Sequence, residues 1–389
     1  MSVLFAQGFL AAGYASGIKD SGGMDLSLVA VSGNRAATAA VTFTQNLAAA
    51  APVQVSREHF IKSAHKILAV ILFFFNDTAT TGEKGLADAA LMCDLVAEGL
   101  GVPSVSVLVC STGLIGIPMP TEIIQSGIPK LVKLLGGSDS HAMSAARAIM
   151  TTDTKEKLVR VEGGNFRIGG MAKGAAMLAP NMATMLAVLT TDAVISDQDL
   201  NSCLRNAVDG SFNRLVIDGC TSTNDTVICL SSSAGAQVDL AEFQSELTRA
   251  CRSLAMQMAL DAEGATKCVK VRIVGAKTNA DADMAARKVA GSQLVQCSFY
   301  GADPYWGRLA SELGSSGVSF DLNRLSVSYG STVVAREGIS VAHDMDGLKQ
   351  YMSQAELEVT CDLGLGNGSA EIITTDLTPG YIAENMRTS

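Results

Sequence analysis

The chain has 389 residues, 48% of them hydrophobic and 17% charged, with a mean hydropathy of +0.28, so disorder is excluded as its main state and two lobes or one large layered domain are expected. Lys plus Arg number 29 against 38 Asp plus Glu, a net charge of -9 with no basic stripe, so nucleic acid is not an expected partner. Residues 99–121 carry no charge, yet Pro103, Pro118, Pro120 and several Ser and Thr interrupt them, and a spanning helix needs about 20 mostly apolar residues, so no membrane span is expected.

Turn signals are spread evenly and no repeat or linker interrupts them, which predicts mixed α and β structure throughout. In chain order the apolar patterns predict strands over 39–43 and 67–75, a helix over 84–99, a strand over 105–110, helices over 121–135 and 140–150, and strands over 158–161, 185–189 and 226–230. Asp239 to Leu260 is the clearest helix, with Leu240, Phe243, Leu247, Cys251, Leu254 and Met258 on one face; Asp239 followed by Glu242 suits its start. A strand over 269–274, a helix over 280–290 and strands over 356–362 and 369–374 complete the pattern. Between the last two strands lies Gly364-Leu-Gly366-Asn-Gly368. No helix follows it, so a hairpin is preferred over a phosphate loop.

The amino terminus, Met1-Ser-Val-Leu-Phe-Ala, has no basic region followed by a long apolar stretch, so secretion is not indicated. The 9 cysteines form no C-x-x-C pair, and most sit inside apolar runs, which fits a reducing cytoplasm. The 4 histidines show no metal-ligand spacing and no G-x-S-x-G elbow occurs, so neither a metal centre nor the common serine-nucleophile template is supported. An enzyme of this composition needs another base.

One segment concentrates the chemistry. In Gly169-Gly-Met-Ala-Lys173-Gly-Ala-Ala-Met-Leu-Ala-Pro180-Asn-Met-Ala183-Thr184-Met-Leu186, a single Lys stands in an otherwise uncharged stretch, and a Pro-Asn turn delivers a Thr to an apolar strand. By spacing alone, Lys173 reads as a snorkelling side chain and Thr184 as an ordinary strand residue.

Lys173 to Leu186 reproduces without a gap the K-G-x-x-M-x-x-P-N/S-x-A-T-M-L pattern of the ornithine acetyltransferases, the glutamate N-acetyltransferases of arginine biosynthesis. Further blocks resemble that family in the same order: Gly8-Phe-x-Ala-Ala-Gly-x-x-x-Gly-Ile-Lys19, Ala51-Pro-Val53, Cys110-Ser-Thr-Gly-Leu-Ile-Gly116 and Met150-Thr-Thr-Asp153. Asp218-Gly-Cys-Thr-Ser-Thr-Asn-Asp-Thr226, Asp261-Ala-Glu-Gly-x-Thr-Lys267, Asp303-Pro-x-Trp-Gly-Arg308 and Thr374-Thr-Asp-Leu377 continue the series. The resemblance spans nearly the whole chain.

It implies an α+β fold with four α-β-β-α layers, similar to amino-terminal nucleophile hydrolases (DmpA/ornithine acetyltransferase-like). It also implies self-cleavage between Ala183 and Thr184, giving an alpha chain (1–183) and a beta chain (184–389) that together form one layered catalytic unit. Thr184 would be the nucleophile, and its new amine, a group that ordinarily titrates at about 7.7 to 8, would be the base. Thr112 and Gly113 would form the oxyanion hole at the end of the 105–110 strand. Thr151, Lys173, Thr184, Glu263, Asn385 and Ser389 would bind substrate. The implied reaction carries the acetyl group of N-acetyl-L-ornithine through Thr184 to L-glutamate. No cofactor is implied; acetyl-CoA serves some members as a second donor, and no residue here selects between them. Partners would be these small molecules, in a heterotetramer of two alpha and two beta chains.

The sequence departs from the family at three places. The family's N-S-G-N-A-N-A-C-T-G-like loop reads Phe73-Phe-Phe-Asn-Asp-Thr-Ala-Thr-Thr-Gly82 here, so a glycine-dependent loop is expected to be damaged, against the alternative of a longer buried strand. The same string looks like translated sequencing-adapter DNA, and the hypothesis of an assembly artefact is decided by resequencing codons 73 to 81. Tyr305 replaces a usual Asn, and the ending Asn385-Met-Arg-Thr-Ser389 is one residue short and lacks a Tyr. Competing functions are an amino-terminal-nucleophile peptidase or amidase, which would pass the acyl group to water, and an uncleaved, inactive relative.

Overall fold

Among the described residues, runs of Val, Ile, Leu and Ala, bounded by turn residues, build three sheets. The computed structural model describes residues 2–19, 21–33, 35–76, 79–178 and 185–386, with Phe75 and Asn76 as backbone only. In chain order come β1 (Phe9–Tyr14), β2 (Leu26–Val31), β3 (Ala37–Phe43), α1 (Ala51–Lys62), β4 (Lys66–Ile67), β5 (Ala69–Asn76), α2 (Gly82–Leu100), β6 (Val107–Leu114), α3 (Thr121–Lys133) and α4 (Asp139–Ala148). Next are β7 (Lys157–Glu162), β8 (Arg167–Lys173), β9 (Leu186–Thr191), α5 (Asp197–Asp209), β10 (Thr226–Ser231), α6 (Leu240–Leu260) and β11 (Cys268–Ala276). The remainder is α7 (Asn279–Ala290), α8 (Gln293–Tyr300), α9 (Gly307–Gly314), β12 (Ser326–Tyr329), β13 (Thr332–Arg336), β14 (Ile339–Ser340), α10 (Met345–Met352), β15 (Glu356–Asp362), β16 (Gly368–Thr375) and α11 (Pro379–Asn385).

The first sheet has the order β1-β2-β5-β6 and the second β4-β3-β10-β9-β8-β7. Their facing sides share one core, in which Val29, Val70, Leu72 and Leu108 of the first meet Val41, Met171, Val188 and Ile228 of the second. The outer face of the first sheet, with Leu28, Ile71 and Val109, packs on Val55, Met92, Val96 and Ile128 of α1, α2 and α3. The outer face of the second, with Val161, Ile168 and Leu189, packs on α5 and α6 through Leu200, Leu204, Phe243, Leu247 and Leu254. The result is the expected four-layer α-β-β-α arrangement, an α+β fold. A third sheet, β14-β13-β12-β15-β11-β16, has its own core with α7, α8, α9 and α10.

Two features differ from the sequence reading. The glycine segment 364–368 does not close a hairpin, because β11 lies between β15 and β16, parallel to the former and antiparallel to the latter. The loop wraps the end of β11 instead, where the amides of Leu365 and Gly366 donate to the Gly275 carbonyl at 2.7 and 2.9 Å. A Cβ on Gly368 would lie 2.2 Å from the Thr278 carbonyl oxygen, so close backbone approach, not turn type, demands glycine there. The second feature is the Phe run. β5 continues to Asn76 in parallel register with β6, Phe74 opposite Thr112 and Phe75 opposite Gly113. Strand alternation sends Phe73 to the helix-covered face and Phe74 into the core between the sheets, both with 0% exposure. The local structure is therefore a longer strand, buried through Phe74 and continuing as backbone to Asn76, and β6 likewise runs past Cys110, placing Thr112 and Gly113 within the strand.

Candidate active site

Lys173 ends β8, an apolar strand that pairs with β9 so that Lys173 faces Leu186 across the ladder. Only 3% of this residue is exposed, and a buried ammonium is costly unless its protons find acceptors. Its Nζ donates to Thr112 Oγ1 at 3.1 Å and to Thr151 Oγ1 at 3.4 Å, and lies 5.9 Å from the centre of the Phe74 ring. Thr112 belongs to β6 of the first sheet and Thr151 to the turn between α4 and β7. One cation at the end of β8 in the second sheet thus joins both sheets near the end of β6.

Beneath Thr151 lies Asp153, whose side chain is wholly buried. Its Oδ1 accepts from Lys157 Nζ at 2.6 Å and from the Gly174 amide at 2.9 Å; its Oδ2 accepts from the amide of Thr151 at 3.0 Å and the hydroxyl of Thr151 at 3.3 Å. Lys157 also donates to Asp261 Oδ2 at 2.6 Å, just after α6. Burial alone would push the Asp153 carboxyl up, but Lys157, Lys173 and the Gly174 amide outweigh it and hold it below its usual range. On the other side of the turn, Lys19 Nζ donates to the Met150 carbonyl at 2.7 Å, and burial pushes this ammonium's pKa down against the pull of Asp25 and Asp153.

Gly113 follows Thr112 with φ of 143°, a conformation that side chains disfavour. Behind this strand the loop before β10 supplies two contacts. Asn224 Nδ2 donates to the Ser111 carbonyl at 2.6 Å, and Asp225 Oδ1 accepts the Met185 amide at 2.8 Å. The chain therefore enters β9 beside the Ser111–Gly113 segment. Ala183, Thr184 and Ser389 lie outside the described residues.

Glu263 and Asn385 meet each other: Asn385 Nδ2, at the end of α11, donates to Glu263 Oε2 at 2.8 Å. Gly264 makes this possible, since a Cβ there would lie 2.1 Å from the Tyr381 amide nitrogen of α11. The Glu263 amide donates to the Ala175 carbonyl at 2.9 Å, so the pair sits two residues along the chain from Lys173. Nearby, Asp218 Oδ2 accepts from the Met177 amide at 2.6 Å and from the Tyr381 hydroxyl at 3.4 Å. Burial pushes the Asp218 carboxyl up, and burial together with Asp218 raises the Tyr381 hydroxyl to about 12. The described site is thus two clusters joined by Gly174–Ala175: Thr112, Gly113, Thr151 and Lys173, suited to anions and developing oxyanions, and Glu263 with Asn385, suited to an ammonium group.

Sequence reading missed Phe74, Asp153, Asp218, Asn224, Asp225 and Tyr381. Asp153, Asp218, Asn224 and Asp225 stood inside blocks already singled out, which was the available signal. Among the described residues no group of His, Cys, Asp or Glu could hold a metal ion, and no helix is long and apolar enough to cross a membrane.

Residues 10–388 match the ArgJ family. The chain is 42% identical over 386 residues to the arginine biosynthesis bifunctional protein ArgJ of Thermobifida fusca, covering 99% of each chain. It is 42% identical over 390 residues to the protein of the same description from Mycobacterium tuberculosis strain H37Rv, covering 97% of this chain and 94% of the relative. Among solved structures, the arginine biosynthesis bifunctional protein ArgJ of Bacillus halodurans is 32% identical with a TM-score of 0.49, covering 51% of this chain and 96% of that one. The ornithine acetyltransferase of Mycobacterium tuberculosis, solved with ornithine, is 39% identical with a TM-score of 0.43, covering 46% of this chain and 94% of that one. With matches of this extent and identity, the chain belongs to the ArgJ family.

Proposed function

We propose that the chain is a self-processing acetyltransferase of arginine biosynthesis, moving the acetyl group of N-acetyl-L-ornithine to L-glutamate. Family membership supports the reaction, and the observation that carries the site is the buried Lys173 ammonium, bonded to both Thr112 and Thr151 beside the entry to β9. In the maturation step the Thr184 hydroxyl attacks the Ala183 carbonyl carbon, and the peptide C–N bond breaks as the hydroxyl proton passes to the nitrogen and frees the Thr184 amine. Water then hydrolyses the resulting ester, releasing the Ala183 carboxylate and restoring the Thr184 hydroxyl. In turnover that amine takes the Thr184 hydroxyl proton as the oxygen attacks the acetyl carbonyl. The C–N bond to ornithine breaks, and the amine leaves with the proton. The amino group of glutamate then attacks the acetyl-threonine ester, expelling the Thr184 oxygen, which recovers its proton.

Thr112 and Gly113 would stabilise the oxyanion of each tetrahedral intermediate. Lys173 suits the substrate carboxylate, Thr151 lines the same pocket and accepts from Lys173, and Glu263 with Asn385 suits an ammonium; Ser389 is proposed for the same pocket. The reading includes a particle of two copies of each fragment and a cytoplasmic location, supported by cysteines that are all unpaired.

Denaturing mass spectrometry tests maturation. Two fragments divided at Ala183/Thr184 are expected, and a single intact chain for Thr184→Ala. An intact wild-type chain without transfer would favour the uncleaved relative, whereas free acetate in place of acetylglutamate would favour an amidase.

A further inference from the structure

The hydrogen bonds around Lys173 have a forced direction. A carboxylate can only accept and an ammonium can only donate. Thr151 therefore gives its single hydroxyl proton to Asp153 Oδ2 and offers a lone pair to Lys173. Lys173 in turn donates to Thr112, so the Thr112 hydroxyl receives there and, among the described residues, its own proton goes to none of them. That proton is the one an oxyanion would need.

We propose that Asp153 is a positioning residue of the acetyl-transfer site: through Thr151 and the Gly174 amide it holds the Lys173 ammonium against Thr112, and that ammonium, able only to donate, directs the Thr112 hydroxyl proton to the developing oxyanion. This rests on the acetyl-transfer reading above. Asp153 is placed for the task because its other oxygen is held by Lys157 and by the amide of Gly174, the residue that follows Lys173. One buried carboxylate thereby fixes both the turn carrying Thr151 and the end of the strand carrying Lys173.

In Asp153→Asn the amide oxygen must face Lys157 and Gly174, since the reverse orientation sets an NH2 against two donors. The NH2 then opposes the Thr151 amide N–H, a donor against a donor, and the Thr151 hydroxyl is no longer bound to give its proton to residue 153. The turn that carries Thr151 loses its anchor, and with it the acceptor that holds the Lys173 ammonium beside Thr112. Asp261→Asn is the control for a purely structural role, because it removes the other carboxylate of Lys157 without touching Thr151 or Gly174.

Steady-state kinetics of the processed protein with N-acetyl-L-ornithine and L-glutamate decide the matter. Asp153→Asn is expected to lower kcat on the order of tenfold to a hundredfold with KM little changed, as loss of support for a transition-state donor should. Asp261→Asn is expected to lower thermal stability while keeping kcat near wild type. Thr151→Val, at an exposed position that spares the buried carboxylate, tests the same chain of bonds if Asp153→Asn fails to fold. Its kcat should fall similarly, recover in Thr151→Ser, and combine with Asp153→Asn without multiplying. Wild-type kcat in Asp153→Asn, an equal loss in Asp261→Asn, or unchanged kcat in Thr151→Val overturns the inference while leaving the acetyl-transfer reading intact. Absence of transfer by the wild type overturns that reading, and this inference with it.

Discussion

Asp153 and Lys157 form an ion pair with almost no solvent contact, the kind of interaction whose net worth depends on every remaining lone pair being used. Here four protein donors converge on the carboxylate, which holds its pKa below the usual 3.8 despite burial. Because its folded value is depressed, the group stabilises the fold above its unfolded pKa and loses that contribution as pH falls through the folded value. Urea unfolding of wild type and Asp153→Asn should therefore differ most near neutral pH and converge as the pH drops below about 3.8. A difference that stays constant from pH 7 to pH 3 would mean that the carboxylate's charge is not what the buried cluster uses. Lys173 was visible in the sequence because it stands alone in an uncharged stretch. Asp153 was not, because its partners come from Thr151 two residues before it, from Lys157 four residues on and from Gly174 just after β8, a convergence that no local pattern records.

Elements governed by their own periodicity were legible, and those governed by neighbours were not. The helix α6 begins as its sequence predicts, with the Asp239 side chain accepting the Glu242 amide. The β15–β16 connection fails as a hairpin because β11, almost a hundred residues earlier in the chain, inserts between the strands, and turn chemistry cannot report a third strand. β2 was missed since all six of its residues are buried, leaving an apolar run without alternation. The Phe run lies between these cases. Whatever its origin, Phe74 fills space between the sheets and lies against the Lys173 ammonium, so its loss should leave a cavity that the paired sheets cannot close. Phe74→Ala is expected to cost about 3–5 kcal/mol in urea unfolding. A loss below about 1 kcal/mol would show that the ring is not packed there and that β5 ends earlier.

At the scale of the molecule, the proposed cut falls between β8 and β9, and the order of the second sheet decides whether the fragments stay together. β9 and β10 of the second fragment lie between β3 and β8 of the first, with β10 antiparallel to β3 and β9 antiparallel to β8. Separating the fragments would tear two six-residue ladders and expose both cores of the second sheet. The third sheet, by contrast, is built entirely from residues after Thr184 and adds no strand across the cut. Cleavage therefore removes one covalent link from a sheet that stays closed by its ladders and its apolar faces. Processed protein is expected to elute in native size-exclusion chromatography as one species containing both fragments, which separate only in denaturant. Elution of a free fragment in native buffer would mean that the interleaved sheet does not survive the cut.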